Sequence, residues 1–417
     1  MAISSAVIQN DLTNSLTTHA SDLWNVSQEF AERGSIQIHA HPELAFEEKF
    51  AHDTICDLLE KLGYSVTRHA YGIDTAFEAE VGSGGGLIVY NAEYDALPEI
   101  GHACGHNLIA ASSIAAFLAT AEAMKKHQIE GRVRLLGTPA EEGGGGKIEL
   151  LKAGAYEGVD ACLMGHPGPR FPGPGLKDGL VVARCMARAG VDVTFHGVNA
   201  HAGNAPWLGR NALDAVVAAY TSIAMLRQQT IPNQRIHAII SKGGDKPNVI
   251  PHLTEMQLFV RSETDADMEK TCQRIVDACE GAAKAAGCSV EFKWLESYKD
   301  LQCSDTIADK FYAHSQSQGL DYLRSMSTVS GASTDQGNVS YALPSLHPGF
   351  SIDVESAQIG PHHPLFERAA GSRSGFENSQ KFASAMAATG LEILQDGDLR
   401  KQLWAEHKER FSALNSE

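Results

Sequence analysis

Leu87-Ile-Val-Tyr-Asn-Ala-Glu-Tyr-Asp-Ala-Leu-Pro98 leads, two residues on, into Gly101-His-Ala-Cys-Gly-His-Asn107. The run 87–90 is apolar, short and unbroken by charge, which reads as a buried strand. A polar loop follows, and then 108–125 reads as a helix. The same order recurs twice. Val133-Arg-Leu-Leu136 runs into Gly137-Thr-Pro-Ala-Glu141-Glu142-Gly143, and Ala161-Cys-Leu-Met164 runs into Gly165-His166-Pro167. Three repeats of strand, loop and helix predict a parallel sheet. Ligands of such sheets bind beyond the carboxyl ends of the strands, and all three polar clusters lie there.

The clusters carry metal-ligand chemistry. Cys104 and His106 are two residues apart with only glycine and alanine around them, so both side chains can point one way and the backbone can close in. A thiolate with a neutral imidazole suits soft and borderline metals; a buried structural cysteine beside surface histidines is the plainer reading of either residue alone. Glu141 and Glu142 are adjacent at a strand end. In extended backbone their side chains point oppositely, so one would bind metal while the other faces the substrate water; a solvated acidic loop is the alternative. Gly143 to Gly146 lack the Lys-Ser/Thr ending of a phosphate loop. His39-Ala-His-Pro-Glu43 carries a turn at Pro42, and capping or packing suits it better than metal binding. Gly360-Pro-His362-His363-Pro364 is either a surface turn or the source of a last metal ligand.

Outside these loops the chain is helical around 12–62 and again over about Gly375–Leu394. From 184 the pattern changes. Alternating Val191, Val193 and Phe195 predict a strand, and Leu213, Val216, Val217 and Tyr220 a helix. Strands near 235–240 and 254–260, a helix over 266–286 and a strand near 289–294 complete β-α-β-β-α-β, the ferredoxin-like unit. An inserted domain over 184–297 is therefore expected, interrupting an α/β domain of 1–183 and 298–417. The insert carries His201, on a loop, with Asn248 and Arg261.

At 417 residues the chain exceeds one ordinary core. Its 43% hydrophobic and 20% charged residues suit a globular protein, and a net charge of −17 argues against nucleic acid and anionic membrane as partners. No run of about 18 uninterrupted apolar residues predicts a membrane span. Residues 1–25 lack a basic start and apolar core, against a secretory signal. Eight scattered cysteines predict free thiols in a reducing compartment, hence the cytoplasm.

Taken together, 92–98, 101–107, 137–142 and 165–167 resemble the dinuclear metallopeptidase and amidohydrolase family that includes hippurate hydrolases, auxin-conjugate amidohydrolases and aminobenzoyl-glutamate hydrolases. The loop Gly331-Ala-Ser-Thr-Asp-Gln-Gly-Asn-Val-Ser340 is most similar to the branch of β-alanyl-lysine dipeptidase-like proteins. The resemblance spans nearly the whole chain in order. It implies a mixed-sheet α/β catalytic domain with a ferredoxin-like lid that dimerises. It implies Cys104, His106, Glu142, His166 and His362 as ligands of two divalent transition-metal ions, zinc by default, with manganese, cobalt or nickel open. His362 is preferred to His363 because its distance from Phe366 matches the family's spacing. Glu141 would be the general base, and Asp95 would orient a ligand. His201 would bind the substrate carbonyl or carboxylate, often across the dimer, with Asn248 and Arg261 as further contacts to the substrate carboxylate. Asn107 departs from the Asp of the hippurate-type branch. The implied activity is hydrolysis of the amide bond of an N-acyl amino acid, a dipeptide or a related conjugate. A non-catalytic metal-binding scaffold would keep the ligands and lose Glu141; a phosphoryl or glycosyl hydrolase would need a phosphate loop or a separated carboxylate pair.

Overall fold

A computed structural model of the protein describes residues 38–171 and 177–414. The helical stretch expected around 12–62 lies partly outside the described residues. Within them it reduces to one turn at Ile38–Ala40 and the helix α1, Lys49–Lys61. Residues 41–48 are not helical. The Glu43 carboxylate accepts hydrogen bonds from Phe50 and Ala51 N–H at 2.9 and 3.0 Å, filling donors that a helix start leaves open. His41 stacks on Phe50 at 4.3 Å. Capping and packing are what this segment does.

The strands in chain order are β1 Val66–Arg68, β2 Phe77–Ser83, β3 Leu87–Ala92, β4 Gly131–Gly137, β5 Ala161–Leu163, β6 His166–Gly168, β7 Gly179–Val182, β8 Ala187–His196, β9 Arg235–Lys242, β10 Leu253–Ser262, β11 Ser289–Trp294, β12 Tyr322–Ser325, β13 Ser345–Leu346 and β14 Gly349–Ser351. After α1 the helices are α2 His106–His127, α3 Gly146–Lys152, α4 Ala212–Leu226, α5 Asp265–Ala285, α6 Asp305–Ser317, α7 Gln336–Ala342, α8 Pro364–Ala370, α9 Arg373–Gln395 and α10 Gly397–Leu414.

These elements form two compact units. The first runs to Arg184 and resumes over Gln302–Thr328 and from Asn338; the second is Cys185–Leu301 with Val329–Gly337. The insert expected at 184–297 thus differs from the second unit, which extends to Leu301 and takes in the 329–337 loop. Backbone bonds explain that capture: Met186 N–H donates to Ala332 O at 2.8 Å, and Cys185 bridges Ser330.

The first unit holds a six-stranded mixed sheet, in the order β1-β2-β4-β3-β5-β13. β4, β3, β5 and β13 are mutually parallel, while β1 and β2 add an antiparallel edge. Every residue of β3 is buried, as a central parallel strand covered on both faces requires. Helix α2 lies against it and is buried nearly all round, which is why its composition is apolar enough to cross a membrane although it is a core helix. One expectation is corrected. β5 is followed by β6, not by a helix, and β6 joins a second mixed sheet, β12-β7-β14-β6. At the C-terminus α9 matches the expected helix, and a further helix, α10, follows it.

The second unit has the order β8-α4-β9-β10-α5-β11 and the sheet order β11-β8-β10-β9, antiparallel throughout. This is the ferredoxin-like arrangement. One sheet face buries Val191, Val193, Phe195, Met256, Leu258 and Val260 against Val216, Ile275 and Cys279 of α4 and α5. Burying each large apolar side chain is worth roughly 1.5–3 kcal/mol, whereas a cross-strand pair adds about 0.2–1 kcal/mol. Face selection therefore sets the register. Asn211 and Thr264 cap the two helices through Leu213 and Asp267 N–H.

Candidate metal centre

Four adjacent parallel strands end on one side of the first unit's sheet, and each delivers polar groups there. β3 leads to Glu93, Asp95, Cys104 and His106; β4 to Glu141 and Glu142; β5 to His166; β13 to His347. The 101–107 loop closes tightly. Gly105 has φ +84°, and a Cβ there would lie 2.6 Å from Pro167 Cγ, beside His166. Only glycine allows that approach. His362 arrives from far along the chain. Its own N–H donates to Ala103 O at 2.8 Å, its φ is +68°, and its side chain stays half exposed.

Four donor groups result among the described residues, and two of them share a sulfur. Cys104, His106 and His166 offer atoms within 4.8 Å of one another, and so do Cys104, Glu142 and His362. Cys104 Sγ is 3.4 Å from His166 Nε2, and His362 Nε2 is 3.3 Å from Glu142 Oε1. Tetrahedral donors at zinc bond lengths lie about 3.4–3.6 Å apart. The imidazoles are set to coordinate. His106 Nδ1 faces Asp95 Oδ1 at 2.9 Å and His166 Nδ1 faces Pro167 O at 2.8 Å, which in each neutral ring favours the proton on Nδ1 and leaves Nε2 as the coordinating nitrogen. His106 Nε2 and Glu142 Oε1 are buried without a hydrogen-bond partner, a cost a fold tolerates where a ligand belongs. These residues fit a pair of thiophilic divalent ions.

The electrostatics follow from burial. It pushes the Cys104 thiol well above the usual range; a bound cation reverses that. Burial also disfavours a charged Asp95, but His106, through both its charge and its hydrogen bond, holds the carboxyl below the usual range. Asp95 Oδ2 accepts from Glu142 N–H at 2.8 Å, so one carboxylate orients both a histidine and the glutamate loop. The extended backbone expected at Glu141-Glu142 is not observed. Both residues occupy a turn, and their carboxylates each reach 3.9 Å from His106 Nε2. Ala140 takes φ +60° just before the turn.

His363 is not in this cluster; its Nδ1 accepts from Leu365 N–H and caps α8. Asn107 donates to Ala370 O at 2.9 Å, closing the end of the same helix. His201, Asn248 and Arg261 belong to the second unit. His201 and Asn248 are exposed. Arg261 donates to Gly331 O and Ser333 Oγ at 3.0 and 2.8 Å.

Sequence reasoning missed four buried residues. Glu93 lies two before Asp95, on the same face of an extended chain. Lys147 hides in the glycine run. His347 follows β13 at a strand end like the others; both its ring nitrogens lack a partner, and burial, then His166, depresses its pKa to about 3. Glu48 is fully buried, taking Thr75 Oγ–H and Ala140 N–H at 2.8 Å each.

Residues 187–286 match the family model described as a peptidase dimerisation domain. The chain is 35% identical to Xaa-Arg dipeptidase of Mus musculus, over 86% of this chain and 84% of that one. It is 33% identical to a p-aminobenzoyl-glutamate hydrolase polypeptide of Escherichia coli, over 69% and 61%. In fold it is similar to a Bacillus subtilis dinuclear metal-binding peptidase from the M20 family, with a TM-score of 0.63, 22% identity and coverage of 90% and 99%. An aminobenzoyl-glutamate utilization protein from Klebsiella pneumoniae gives 0.69, 19%, 93% and 99%.

Proposed function

The chain belongs to the M20 peptidase family, metal-dependent hydrolases of amide bonds, and we propose that it acts through two ions held by Cys104, His106, Glu142, His166 and His362. The observation that carries this reading is the pair of donor groups sharing Cys104. When bound, such ions lower the pKa of a shared water and polarise the amide carbonyl. Thiolate and imidazole donors disfavour magnesium and calcium, and zinc is the default.

Glu141, next to a ligand and outside both groups that share Cys104, takes the proton of the attacking water and delivers it to the leaving amine. Asp95 keeps His106 and the Glu141-Glu142 turn in place. The substrate is an N-acyl amino acid, a dipeptide or a related conjugate with a free carboxylate. Supporting that carboxylate, Arg261 stands opposite both Arg188 and Arg235 in one row across β8, β10 and β9. The row's contacts are to carbonyls, a hydroxyl and aromatic rings, and Arg188 lies 4.1 Å from the Tyr298 ring centroid. Like charges set opposite one another are unfavourable unless an anion is held there. Asn248 and His201 are further substrate contacts. The matched dimerisation domain supports a homodimer through the lid as the working assembly, and eight cysteines outside any disulfide support a cytoplasmic setting.

The test is a screen of purified protein against N-acyl amino acids and dipeptides, with chelation and metal restoration. Chelation abolishes turnover, a divalent transition metal restores it, and Glu141→Gln keeps its metal while losing about 10²–10⁴-fold in rate. Activity in metal-free protein, verified by elemental analysis, defeats the reading. Loss of metal from Glu141→Gln exchanges the roles of the two glutamates.

A further inference from the structure

We propose that Arg188 is a specificity-determining residue: beside Arg261 it supplies a second guanidinium that reads a second carboxylate, so the preferred substrates are amides whose leaving amino acid is aspartate or glutamate. The proposal rests on the amide-hydrolase reading above.

Arg188, at the start of β8, faces Arg261, near the end of β10, and Arg261 in turn faces Arg235 on β9. Facing residues send their side chains to the same side of the sheet, with Cα atoms about 4.5–5.5 Å apart. The core side is taken by Val191, Val193, Met256, Leu258 and Val260. By alternation along the strands, the arginines stand on the other side.

The Arg188 guanidinium is held but not paired. Its Cζ lies 4.1 Å from the Tyr298 ring centroid and 5.4 Å from that of Phe259, stacking that fixes a planar cation in place. Its Nε is buried without a hydrogen-bond partner. Arg261 donates to Gly331 O and Ser333 Oγ, and Arg235 to the carbonyls of Pro232 and Gln234. Among the described residues none of the three has a carboxylate partner. In a chain of net charge −17 acidic partners are plentiful elsewhere, as Arg68 shows with Asp57 and Glu60. Burial, and then Arg188, hold Arg261 below its usual range, as two cations facing one another without an anion must.

One carboxylate takes one guanidinium, through two parallel N–H···O bonds. A substrate α-carboxylate on Arg261 therefore leaves Arg188 partly desolvated and unpaired, an unfavourable state. A second carboxylate only a few bonds from the first relieves it and suits the spacing of facing residues. Aspartate and glutamate carry one. Asparagine and glutamine offer the same shape without the charge.

The test compares amides of glutamate with the matching amides of glutamine, N-acyl and dipeptide alike, on the metal-loaded full chain. Wild type favours the glutamate member by about 10–100-fold in kcat/KM, mostly through KM. Arg188→Met, which keeps an apolar stem between the rings, brings that ratio close to one. Arg188→Lys, which keeps the charge but not the fork, holds an intermediate ratio. Circular dichroism checks each fold, and a ratio within one variant is not imitated by a general loss of activity. Wild type that is indifferent to the pair or prefers the neutral amide overturns the proposal, and so does Arg188→Met that keeps the glutamate preference. Calorimetry of L-glutamate against L-glutamine asks the same question without turnover. A protein that hydrolyses no N-acyl amino acid or dipeptide yet binds glutamate through Arg188 keeps the site and loses the amide-hydrolase reading. Equal binding of the two amino acids overturns the site itself.

Discussion

Glu48 shows how one buried side chain sets the conditions for its neighbours. It accepts Ala140 N–H, the residue whose positive φ swings the chain into the Glu141-Glu142 turn. Burial, reinforced by Asp95, raises its pKa from 4.5 to about 7. A carboxyl whose folded pKa is raised above its unfolded value favours the folded state most below the unfolded pKa, and that contribution is lost as pH rises to the folded one. The window is therefore pH 4.5 to about 7, and its size is about 3 kcal/mol. Glutamine keeps an oxygen for Ala140 N–H and presents its amide to the Thr75 hydroxyl, which can accept, but it has no charge to bury. Urea unfolding of the metal-free proteins should show Glu48→Gln gaining on wild type across that window by up to about 3 kcal/mol, with a flat difference on either side. A difference constant from pH 4 to pH 8 would show that Glu48 does not titrate there.

The element that matters most for chemistry is the turn between β4 and α3. Its glycines are legible in the sequence, but not their separate tasks. A Cβ at Gly146 would sit 1.8 Å from Pro139 O, whereas one at Gly143 meets nothing within 4 Å. Gly143→Ala should keep activity and melting temperature. Gly146→Ala must displace the backbone beneath Glu141 and Glu142, at a cost of about 1–3 kcal/mol and at least tenfold in turnover; equal behaviour of the two would mean the turn tolerates displacement. The limits of sequence reading appear at the same scale. Strand ends are readable because 87–90, 133–136 and 161–164 are short apolar runs, and the lid because Val191, Val193 and Phe195 alternate. The Glu141-Glu142 turn reads wrongly as extended, since a positive φ at Ala140 leaves no mark in residue type. The segment after Gly165 reads as a route to a helix because three-residue β6 is too short to show a period. Glu93, Lys147 and His347 escape notice because pairing across the fold, not spacing along the chain, makes them a group.

At the scale of the whole molecule, the lid is where two copies of the chain would meet. β9 is an edge strand with Ile239 and Ile240 exposed at 59% and 38%, and an uncovered apolar edge invites pairing with a second copy. The matched dimerisation domain includes this strand. The same unit carries His201, whose Nδ1 accepts from Gly203 and Asn204 N–H at 3.2 and 3.1 Å. That fixes the tautomer with the proton on Nε2, a donor facing outward from an exposed loop. Such a donor is suited to an oxyanion, and losing one typically costs about 10²–10³ in turnover. His201→Ala should therefore bind metal and fold normally yet turn over that much more slowly. If the donor serves the partner's centre, subunits of His201→Ala re-paired with subunits of Glu141→Gln form heterodimers with one intact site each, and an equal mixture regains about a quarter of wild-type activity. If it serves its own chain, the mixture stays as inactive as its parents. A fully active His201→Ala would return this residue to an ordinary surface histidine and leave the metal centre to stabilise the oxyanion alone.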